Sequence, residues 1–338
     1  MPSANFQRAF SSRSNISPAS RVTVTAPARL HMGFLDLGGA LGRRFGSIGV
    51  GINEIRTRLT LTPASHLSTT GPDAARAAAA VAKVARVFNL PDTVHIRVES
   101  AIPGHAGLGS GTQLGLSAGM GLCSLHGRGT SVRELAALIE RGTRSGIGIA
   151  VFEGGGLVLD GGRGERTLIP PLLARMELPS HWRFLLILDD RGQGVHGKAE
   201  IDAFRSLPVF SAVEAARLCH LLLMRGLPAV AENDLAGFGA VISELQRTVG
   251  DHFAPAQGGR FSSQEVKEAL CFLESRGAVG IGQSSWGPTG FCLVDGPQSA
   301  ADLLVEAQTR FAACSHLRFL IGTARNRGAD IQLDEPQS

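Results

Sequence analysis

A run of small residues between a predicted strand and a predicted helix constrains this chain more than any other feature. The run, which we call the glycine loop, reads Pro103-Gly104-His105-Ala106-Gly107-Leu108-Gly109-Ser110-Gly111-Thr112-Gln113. Small residues let backbone N–H groups converge on one point, and the N-terminus of the following helix adds a partial positive charge. The pattern predicts that a phosphate group binds here, at Gly107, Gly109, Ser110, Gly111, Thr112 and Gln113.

Two familiar phosphate-binding motifs do not fit the glycine loop. The Walker A motif requires Lys followed by Ser or Thr after its last glycine, whereas Ser110 and Gly111 follow Gly109 here. The dinucleotide-binding fingerprint requires a third glycine where Thr112 stands. A glycine-rich turn between a strand and a helix also serves as a plain tight turn, so the loop alone leaves a purely structural role open.

Composition narrows the class of protein. The 338 residues are enough for two domains, and a net charge of +4 without clustered Lys and Arg suits an anionic small molecule rather than nucleic acid. The five cysteines are far apart in apolar segments, which predicts buried thiols in a reducing compartment. We find neither a membrane span nor a secretory signal and expect a cytoplasmic protein. Residues 1–20 are predicted to be a disordered leader, with a transit peptide as the alternative.

The pattern of apolar residues predicts an α+β protein of two units. The first unit, 21–165, has predicted strands at Arg21–Leu30, Arg56–Thr62 and Thr93–Ser100, helices at Pro72–Leu90 and from Thr112 and Ser131, and strands at Ile147–Phe152 and Leu157–Leu159. Turn-forming residues then concentrate between Gly161 and Pro171, which indicates a domain boundary. The second unit, 180–325, interleaves strands and helices, which is typical of a small sheet covered on one face by helices.

Three motifs in order resemble those of the GHMP superfamily of small-molecule kinases. The segment Pro-x-x-x-Gly-Leu-Gly-Ser from Pro103 resembles its phosphate loop, Ala26–His31 its first motif and Val279–Ser285 its third. This resemblance implies a two-domain fold with an N-terminal ribosomal-protein-like domain and a C-terminal ferredoxin-like α/β sandwich. It also supports a phosphate-binding role for the glycine loop.

The chain departs from the superfamily's kinases at the position of a catalytic acid. Those kinases commonly carry Ser-Gly-x-x-Asp downstream of the loop, and the acid orients or deprotonates the attacking hydroxyl. The matching segment here, beginning at Ser145, places Ile149 at the Asp position. The first motif ends in Gly33-Phe34-Leu35-Asp36-Leu37 rather than Gly-Glu-His-x-Asp. Chemistry other than ordinary ATP-dependent phosphoryl transfer is indicated.

With these departures, the motifs of the chain resemble those of one branch of the superfamily, the β-ribofuranosylaminobenzene 5'-phosphate synthase family of the methanopterin pathway. The matching segments are Arg29–His31, Asp36–Leu37, Arg43–Gly46, Gly107–Gln113, Arg144–Gly148 and Gln283–Thr289. The resemblance implies that phosphoribosyl pyrophosphate and 4-aminobenzoate react with release of CO2 and pyrophosphate, leaving ribose bonded to a ring carbon. It further implies Mg²⁺ without an organic cofactor, and a homodimer.

Candidate site residues follow from the resemblance and from their chemistry. Asp36 is expected to hold Mg²⁺ or to stabilise the sugar cation, although an Asp that caps a turn is the alternative. Arg43 is expected to clamp a phosphate or carboxylate, with Arg44 as its neighbour and a solvated loop pair as the alternative. Further candidates for substrate contacts are Arg29, His31, His105, Arg144, Ser145, His196, Lys198, Gln283, Ser284 and Trp286. A structural role is the alternative for Arg29, His31 and His105, and a surface loop is the alternative for His196 and Lys198. Trp286 either stacks on the aminobenzoate ring or fills the core.

Two other functions stay open from the sequence. An ATP-dependent kinase of the same superfamily would share the glycine loop but would need the acid that Ile149 replaces. A non-catalytic sensor on the same fold would bind a phosphorylated metabolite without turnover. The presence of Asp36 and both arginines favours an enzyme over the sensor.

Overall fold

The computed structural model describes residues 19–191, 202 and 206–334. The chain forms two sheets, and the first contains seven strands in the described part. These strands are β1 (Arg21–Asp36), β2 (Phe45–Pro63), β3 (Ser68–Thr70), β4 (Val94–Ser100), β5 (Leu157–Asp160), β6 (Leu172–Met176) and β11 (Asp330–Asp334). The sheet order is β11-β1-β2-β4-β3, with β5 paired to β2 and β6 paired to β5.

Strand β1 packs into two different cores along its length. Before the shift, Val22 and Val24 pack beneath the helices of the first domain. The antiparallel pairing with β2 shifts between Pro27 and Ala28, where the partner on β2 moves from Arg56 to Ile52, so the extra residues of this bulge lie on β2. After the shift, Leu30 packs into a different core, which is shared with the second domain.

Four helices belong to the first domain. They are α1 (Ala74–Phe88), α2 (Ser110–Leu125), α3 (Val132–Leu138) and α4 (Ile147–Gly154). The helix predicted from Ser131 is confirmed, and its capping box is complete: Ser131 Oγ accepts from Glu134 N at 3.1 Å, and Glu134 Oε2 accepts from Ser131 N at 3.2 Å. These reciprocal bonds satisfy two of the donors that a helix N-terminus leaves without intrahelical partners.

The strand predicted at Ile147–Phe152 is wrong, because this segment lies within helix α4. Every residue from Ile147 to Phe152 is buried, so the segment has no polar face from which a period could be read. A short apolar run of this kind does not distinguish a buried strand from a buried helix. The strand predicted at Leu157–Leu159 is confirmed as β5.

The second sheet has the ferredoxin-like order. Its strands are β7 (Trp182–Asp189), β8 (Val279–Gln283), β9 (Gly290–Asp295) and β10 (Leu317–Gly322), arranged as β10-β7-β9-β8 with antiparallel neighbours. Its helices are α5 (Ala212–Leu221), a π-helical turn (Leu222–Gly226), α6 (Leu227–Ala231), α7 (Leu235–Gln257), α8 (Gln264–Ser275) and α9 (Pro297–Arg310). The predicted α+β class and the ferredoxin-like strand order of the second domain are thereby confirmed.

Both faces of the second sheet are covered, and the alternation along β7 is the reason. Side chains of a strand point alternately to opposite faces. Leu185 and Ile187 pack with helices α8 and α9, whereas Phe184 and Leu186 pack with helix α7 and with β1 and β2. The expectation that helices cover one face only is wrong. The second face forms the core that joins the two domains.

Sheet membership extends beyond the two predicted units. Strand β6 still belongs to the first sheet, so the chain crosses to the second sheet between Met176 and Trp182. Strand β11 returns to the first sheet and pairs antiparallel with β1. Of the predicted leader, Ala19 and Ser20 are described. The N–H of Ala19 donates to the carbonyl of Leu125 at 3.2 Å.

Cysteine burial differs from the expectation. Cys123 and Cys292 are buried, and burial raises the pKa of each thiol to about 12. Cys219 and Cys271 are exposed, so the prediction of buried thiols is wrong for these two, which lie on the outward sides of helices α5 and α8. Within the described part of the chain, none of the helices combines the length and the hydropathy that a bilayer span requires.

Removal of an aromatic ring from the shared core should destabilise the protein strongly. Phe238 is fully buried and stacks on Trp182 with ring centroids 5.7 Å apart. We expect Phe238→Ala to lower the free energy of unfolding by about 3–5 kcal/mol, because it leaves a cavity between α7 and β7. Denaturant titration measures this value. Val213→Ala, at a side chain that is 75% exposed, is the control and should change it by less than about 0.5 kcal/mol.

Candidate functional site

The glycine loop requires glycine for two separate reasons. Gly107 and Gly109 have φ values of +77° and +82°, a region that side-chain-bearing residues rarely adopt. In addition, a Cβ at Gly107 would collide with the carbonyl oxygen of Ser284, and one at Gly109 would lie 2.9 Å from Arg29 Cγ. Backbone conformation and close packing therefore both demand glycine in this loop.

Helix α2 begins at the end of the loop with an open N-terminus. Gly109 is the N-cap residue, and no side chain in the described structure caps this helix. The carbonyl of Gly109 accepts the N–H groups of Thr112 and Gln113 at 3.1 Å each. The earlier N–H groups of a helix lack intrahelical partners, and they carry the positive end of the helix dipole. The first turn of α2 can therefore bind an anion through its backbone.

Side chains from β1 and from the third motif hold the loop in this conformation. Thr289 Oγ1 donates to the carbonyl of Ala106 and Ser284 Oγ donates to the carbonyl of Gly107, both at 2.7 Å. The guanidinium of Arg29 also donates to the Gly107 carbonyl. These contacts place Arg29 and Ser284 beside the glycine loop, where they fix its backbone.

Two arginines face the start of helix α2. A Cβ at Gly111 would lie 2.9 Å from Arg76 Nη2 and 3.4 Å from Arg141 Nη1. Arg76 forms an ion pair with Asp73 at 3.0 Å. Partial burial and then the positive charge of Arg76 lower the pKa of Arg141. A guanidinium with a lowered pKa gains stability from a bound anion, since the anion compensates the repulsion between the two arginines.

The arginines line a cavity of about 600 Å³, including its open mouth, together with Lys83, Gly111 and Leu114. The sequence analysis missed Arg76 and Arg141. Arg76 lies in an Ala-rich helix and Arg141 in the turn after α3, and neither belongs to a motif. Only the packing of α1 and α3 against α2 brings the two side chains together.

The N-terminus of helix α4 lies next to that of α2. Gln113 Nε2 donates to the carbonyl of Gly148 at 2.8 Å, and a Cβ at Gly148 would lie 3.2 Å from Thr112 Cγ2. Ser145 stands at the start of α4, so the loop residues and the Ser145 turn form one surface. Ile149 is fully buried in the core of the first domain, so the position that holds the kinases' acid contributes an apolar side chain.

Asp160, which the sequence analysis missed, organises the turn before α4. It is 1% exposed and accepts hydrogen bonds from Ser47 Oγ at 2.5 Å, Gly146 N at 2.8 Å and Gly162 N at 2.8 Å. Ser145 Oγ donates to it at 3.3 Å. Burial raises the pKa of Asp160, and these donors oppose the rise. The carboxylate is thus fully occupied in holding the Ser145 turn.

Asp36 lies at the far end of β1. Its Oδ1 accepts the N–H groups of Gly38 and Gly39 at 2.8 and 2.7 Å, which is the geometry of a turn-capping Asp. A strand rises about 3.3 Å per residue, so the stretch from Arg29 to Asp36 spans roughly 20 Å. Partial desolvation and then the Asp36 charge raise the pKa of the Cys219 thiol on α5 nearby. The structure does not bring Asp36 into contact with the glycine loop.

Arg43 and Arg44 bind backbone carbonyls. Arg43 donates to the carbonyls of Gly161 and Gly162 at 2.9 and 3.0 Å. Arg44 donates twice to the carbonyl of Leu37, at 3.2 and 3.0 Å. The two side chains therefore join the Asp36 turn to the end of β5, next to Asp160.

The remaining predicted residues fall into three places. His31, Gln283 and Trp286 line a cavity between β1, α7 and the third motif. His105 is exposed in the glycine loop with φ +57°, and Arg144 precedes the Ser145 turn. His196 and Lys198 lie outside the described residues.

A cluster of possible metal ligands lies at the end of β7, where Asp189, Glu265 and His316 converge. Arg191 already bridges the two carboxylates, at 3.0 Å from Asp189 and 2.8 Å from Glu265. Burial opposes ionisation of Asp189, but its hydrogen bonds from Arg191 and Ser263 outweigh burial and lower its pKa to about 2. A guanidinium therefore supplies the positive charge at this cluster.

Comparison with protein families finds matches in both domains. The model of the GHMP kinases N-terminal domain matches residues 74–156, and that of the GHMP kinases C-terminal domain matches residues 227–313. Among solved structures, phosphomevalonate kinase of Streptococcus pneumoniae superposes with a TM-score of 0.66 at 13% identity, covering 90% of this chain and 100% of that one. Homoserine kinase of Cytophaga hutchinsonii superposes with a TM-score of 0.64 at 17% identity, covering 94% and 98%. These superpositions establish the fold alone.

Curated relatives match over nearly the whole chain. Beta-ribofuranosylphenol 5'-phosphate synthase of Archaeoglobus fulgidus is 30% identical over 320 residues, covering 91% of this chain and 98% of that protein. The protein of the same name from Methanocaldococcus jannaschii is 31% identical, covering 80% and 89%. That of Methanothermobacter thermautotrophicus is 29% identical, covering 90% and 97%.

Substitution of Gly107 tests the glycine loop. We expect Gly107→Ala to weaken pyrophosphate binding at least tenfold, because the methyl group collides with the Ser284 carbonyl and φ is positive. Isothermal titration calorimetry with pyrophosphate measures the change. Gly104→Ala is the matched control, since a Cβ at Gly104 has no neighbour within 4 Å. Equal affinities for the two variants would contradict the assignment of the loop.

The pH dependence of stability tests the burial of His31. Burial and the nearby charge of Arg29 lower the pKa of His31 to about 3 from its ordinary 6.5. Between these values the unfolded state binds a proton that the folded state does not, so stability falls as pH decreases below 6.5, by up to about 1.4 kcal/mol per pH unit. Denaturant titrations at pH 7 and pH 5 should show this loss. His31→Gln should remove that part of the loss, and an unchanged pH dependence in the variant would contradict the prediction.

Proposed function

This chain belongs to the β-ribofuranosylphenol 5'-phosphate synthase family, and from that membership we propose that it joins phosphoribosyl pyrophosphate to 4-aminobenzoate. The membership rests on 30% identity over 98% of the length of one relative and 31% over 89% of another. The products are β-ribofuranosylaminobenzene 5'-phosphate, CO2 and pyrophosphate. The enzyme class is a pentosyltransferase that forms a C-glycoside.

The reaction balances without an oxidant, a reductant or a net proton. The bond from ribose C1 to pyrophosphate breaks, and the electron pair leaves with the pyrophosphate oxygen. The ring carbon that carries the carboxylate, made electron-rich by the para substituent, bonds to ribose C1. The bond to the carboxylate then breaks, and its electron pair restores the aromatic ring as CO2 leaves. The enzyme's main task is to stabilise the negative charge that develops on pyrophosphate.

The observation that carries the proposal is an anion site without the kinases' acid. The open N-terminus of α2, with Arg76 and Arg141 in front of it, suits a pyrophosphate leaving group. Ile149 is buried at the position where the superfamily's kinases carry their carboxylate. No proton has to be removed from a nucleophile in the proposed reaction, so an apolar residue at this position is compatible with it.

Mg²⁺ is part of the proposal, and Asp36 is its candidate ligand. Among the described residues only Gly38 and Gly39 donate to Asp36, both to Oδ1, which leaves Oδ2 for a cation. This donor fits Mg²⁺, which is commonly held by one or two carboxylates together with substrate phosphates and water. When bound, the ion would neutralise charge on substrate oxygens that reach the Asp36 turn, which lies roughly 20 Å along β1 from the side chain of Arg29 beside the glycine loop.

The para substituent of the acceptor and the setting of the enzyme also belong to the proposal. The relatives' name specifies a phenol product, whereas the motifs resemble an aminobenzene-forming family. We propose 4-aminobenzoate as the acceptor and 4-hydroxybenzoate as the competitor to be tested beside it. The free cysteines support a reducing compartment, the cytoplasm, and the resemblance supports a homodimer and a place in methanopterin biosynthesis.

The first experiment measures release of labelled CO2 from carboxyl-labelled 4-aminobenzoate in the presence of phosphoribosyl pyrophosphate and Mg²⁺. Release should require all three components. We expect Arg141→Ala to lower kcat/KM for phosphoribosyl pyrophosphate by roughly tenfold to hundredfold, because a hydrogen bond to a charged group contributes about 1.5–3 kcal/mol. Arg86→Ala, on the exposed side of α1, is the control and should leave kcat/KM unchanged.

Each alternative function has its own outcome in this assay. Transfer of phosphate from ATP to an alcohol, without CO2 release, would identify a kinase. Binding of phosphoribosyl pyrophosphate without any product would identify a sensor. Either result would overturn the proposed synthase activity.

A further inference from the structure

The helix that begins with α5 is apolar on two opposite sides. Helix α5, the π-helical turn and α6 are continuous, because Leu222 and Leu227 at their junctions keep right-handed helical angles. One side carries Ala215, Leu218 and Leu222, which are buried in the core shared by the two domains. A surface helix usually has polar residues opposite such a side. Here the opposite side is exposed and mainly apolar, and we call it the outer stripe: Val213, Ala216, Cys219, His220, Leu223 and Met224.

Two more apolar side chains lie beyond the N-terminal end of the outer stripe. Val209 comes directly before Phe210 at the start of α5, and Leu41 belongs to the turn that Asp36 caps. This turn packs against the start of α5, since a Cβ at Gly38 would lie 2.5 Å from the carbonyl oxygen of Phe210. These two side chains and the three large aliphatic ones of the outer stripe are each 62–92% exposed. Exposed apolar surface of this extent marks an interaction site.

The apolar area is large enough for a stable dimer. A large aliphatic side chain offers about 60–120 Å² of apolar surface, so the five mostly exposed ones contribute roughly 200–450 Å² per copy. Two copies would bury about twice that area. Because interfaces are only about 60% apolar, the total comes to roughly 700–1,500 Å², before Ala216, Cys219 and His220 are counted. A specific interface needs about 1,000 Å² or more, which the outer stripe can supply.

A second copy of the chain fits the outer stripe because the stripe is complementary to itself. A two-fold dimer uses the same surface on both copies. The side chains of Ala216 and Cys219, near the middle, are small and let two helices approach closely. The outer stripe contains no carboxylate and one basic residue, His220, so few like charges would be opposed. Leu223 is nearer to the middle than Val213, which lies toward the rim, where truncation of a side chain changes binding little.

The flank of the outer stripe has the polar character of an interface rim. Arg217 forms ion pairs with Glu214 at 2.7 Å and with Glu244 of α7 at 2.6 Å. Protein interfaces commonly combine an apolar centre with a polar rim of this kind. Because these ion pairs are complete within one copy, none of them has to be broken when two outer stripes meet.

We propose that two copies of this chain associate about a two-fold axis that passes through the outer stripe near Cys219. The inference locates the interface of the proposed homodimer. It is independent of the proposed reaction, because oligomeric state and CO2 release are measured separately. The thiol of Cys219 then lies close to the partner's Cys219, and the turn capped by Asp36 borders the interface.

The first test compares two substitutions at equally exposed side chains. Leu223 on the outer stripe and Val305 on α9 are both 62% exposed, so both variants should fold. Sedimentation equilibrium of the full chain should give twice the 35.4 kDa of one copy for the wild type and for Val305→Glu. Leu223→Glu should raise the dimer dissociation constant by about hundredfold or more, because the two-fold axis places its buried carboxylate in the interface twice.

Thiol cross-linking tests the position of the axis. Cys219 and Cys271 are the exposed thiols of the described residues. A short bifunctional maleimide should link two copies of the wild type and of Cys271→Ser, and it should not link Cys219→Ser. A covalent dimer that persists in Cys219→Ser, or a wild type that sediments as a dimer without forming one, would place the interface elsewhere and overturn the inference.

The remaining outcomes separate this inference from the proposed function. A wild type that is monomeric, or equal dissociation constants for Leu223→Glu and Val305→Glu, would overturn the interface. In a monomer, failure of Cys219 to react with maleimide would show that another part of the same chain covers the outer stripe. CO2 release by a monomer would sink the interface alone, whereas a dimer linked through Cys219 that releases no CO2 would sink the proposed reaction alone.

Discussion

The site depends on hydrogen bonds that cross between the two domains. Ser284 and Thr289 lie around the turn between β8 and β9, yet they donate to the carbonyls of Gly107 and Ala106, which belong to the first domain. Because the peptide group is planar, fixing its carbonyl also fixes the direction of the N–H in the same peptide unit. The second domain therefore fixes the position of the open end of α2, and the proposed phosphate site depends on the shared core around Phe238 that joins the two domains.

Local chemistry explains which features were predictable from sequence. The glycine loop, the Ser131 capping box and the alternating strands each depend on residues close together in the chain. Such patterns predict structure because the physical cause lies within one turn or one strand. The order of the three motifs likewise identified the superfamily, and the curated relatives confirm the synthase branch, although their name gives a phenol product and leaves the aminobenzoate substituent a prediction.

Features set by tertiary packing were not predictable. Arg76 and Arg141 meet only because α1 and the turn after α3 pack on α2, and Asp160 gains its four donors from three separate segments. The buried helix α4 was predicted as a strand because an apolar segment has no period when every face is covered. Arg43 and Arg44 were expected to contact substrate, but the structure places their guanidinium groups on backbone carbonyls. Their proposed contacts with substrate stay predictions.

The pairing of β1 with β11 makes the second domain an insertion within the first. Arg21 is opposite Asp334 in this pair, and their charged groups are 3.8 Å apart. During synthesis on the ribosome, β1 emerges early but its outer edge stays unpaired until the whole second domain has followed. The first sheet therefore completes last, and the two domains should assemble as a single cooperative unit rather than one after the other.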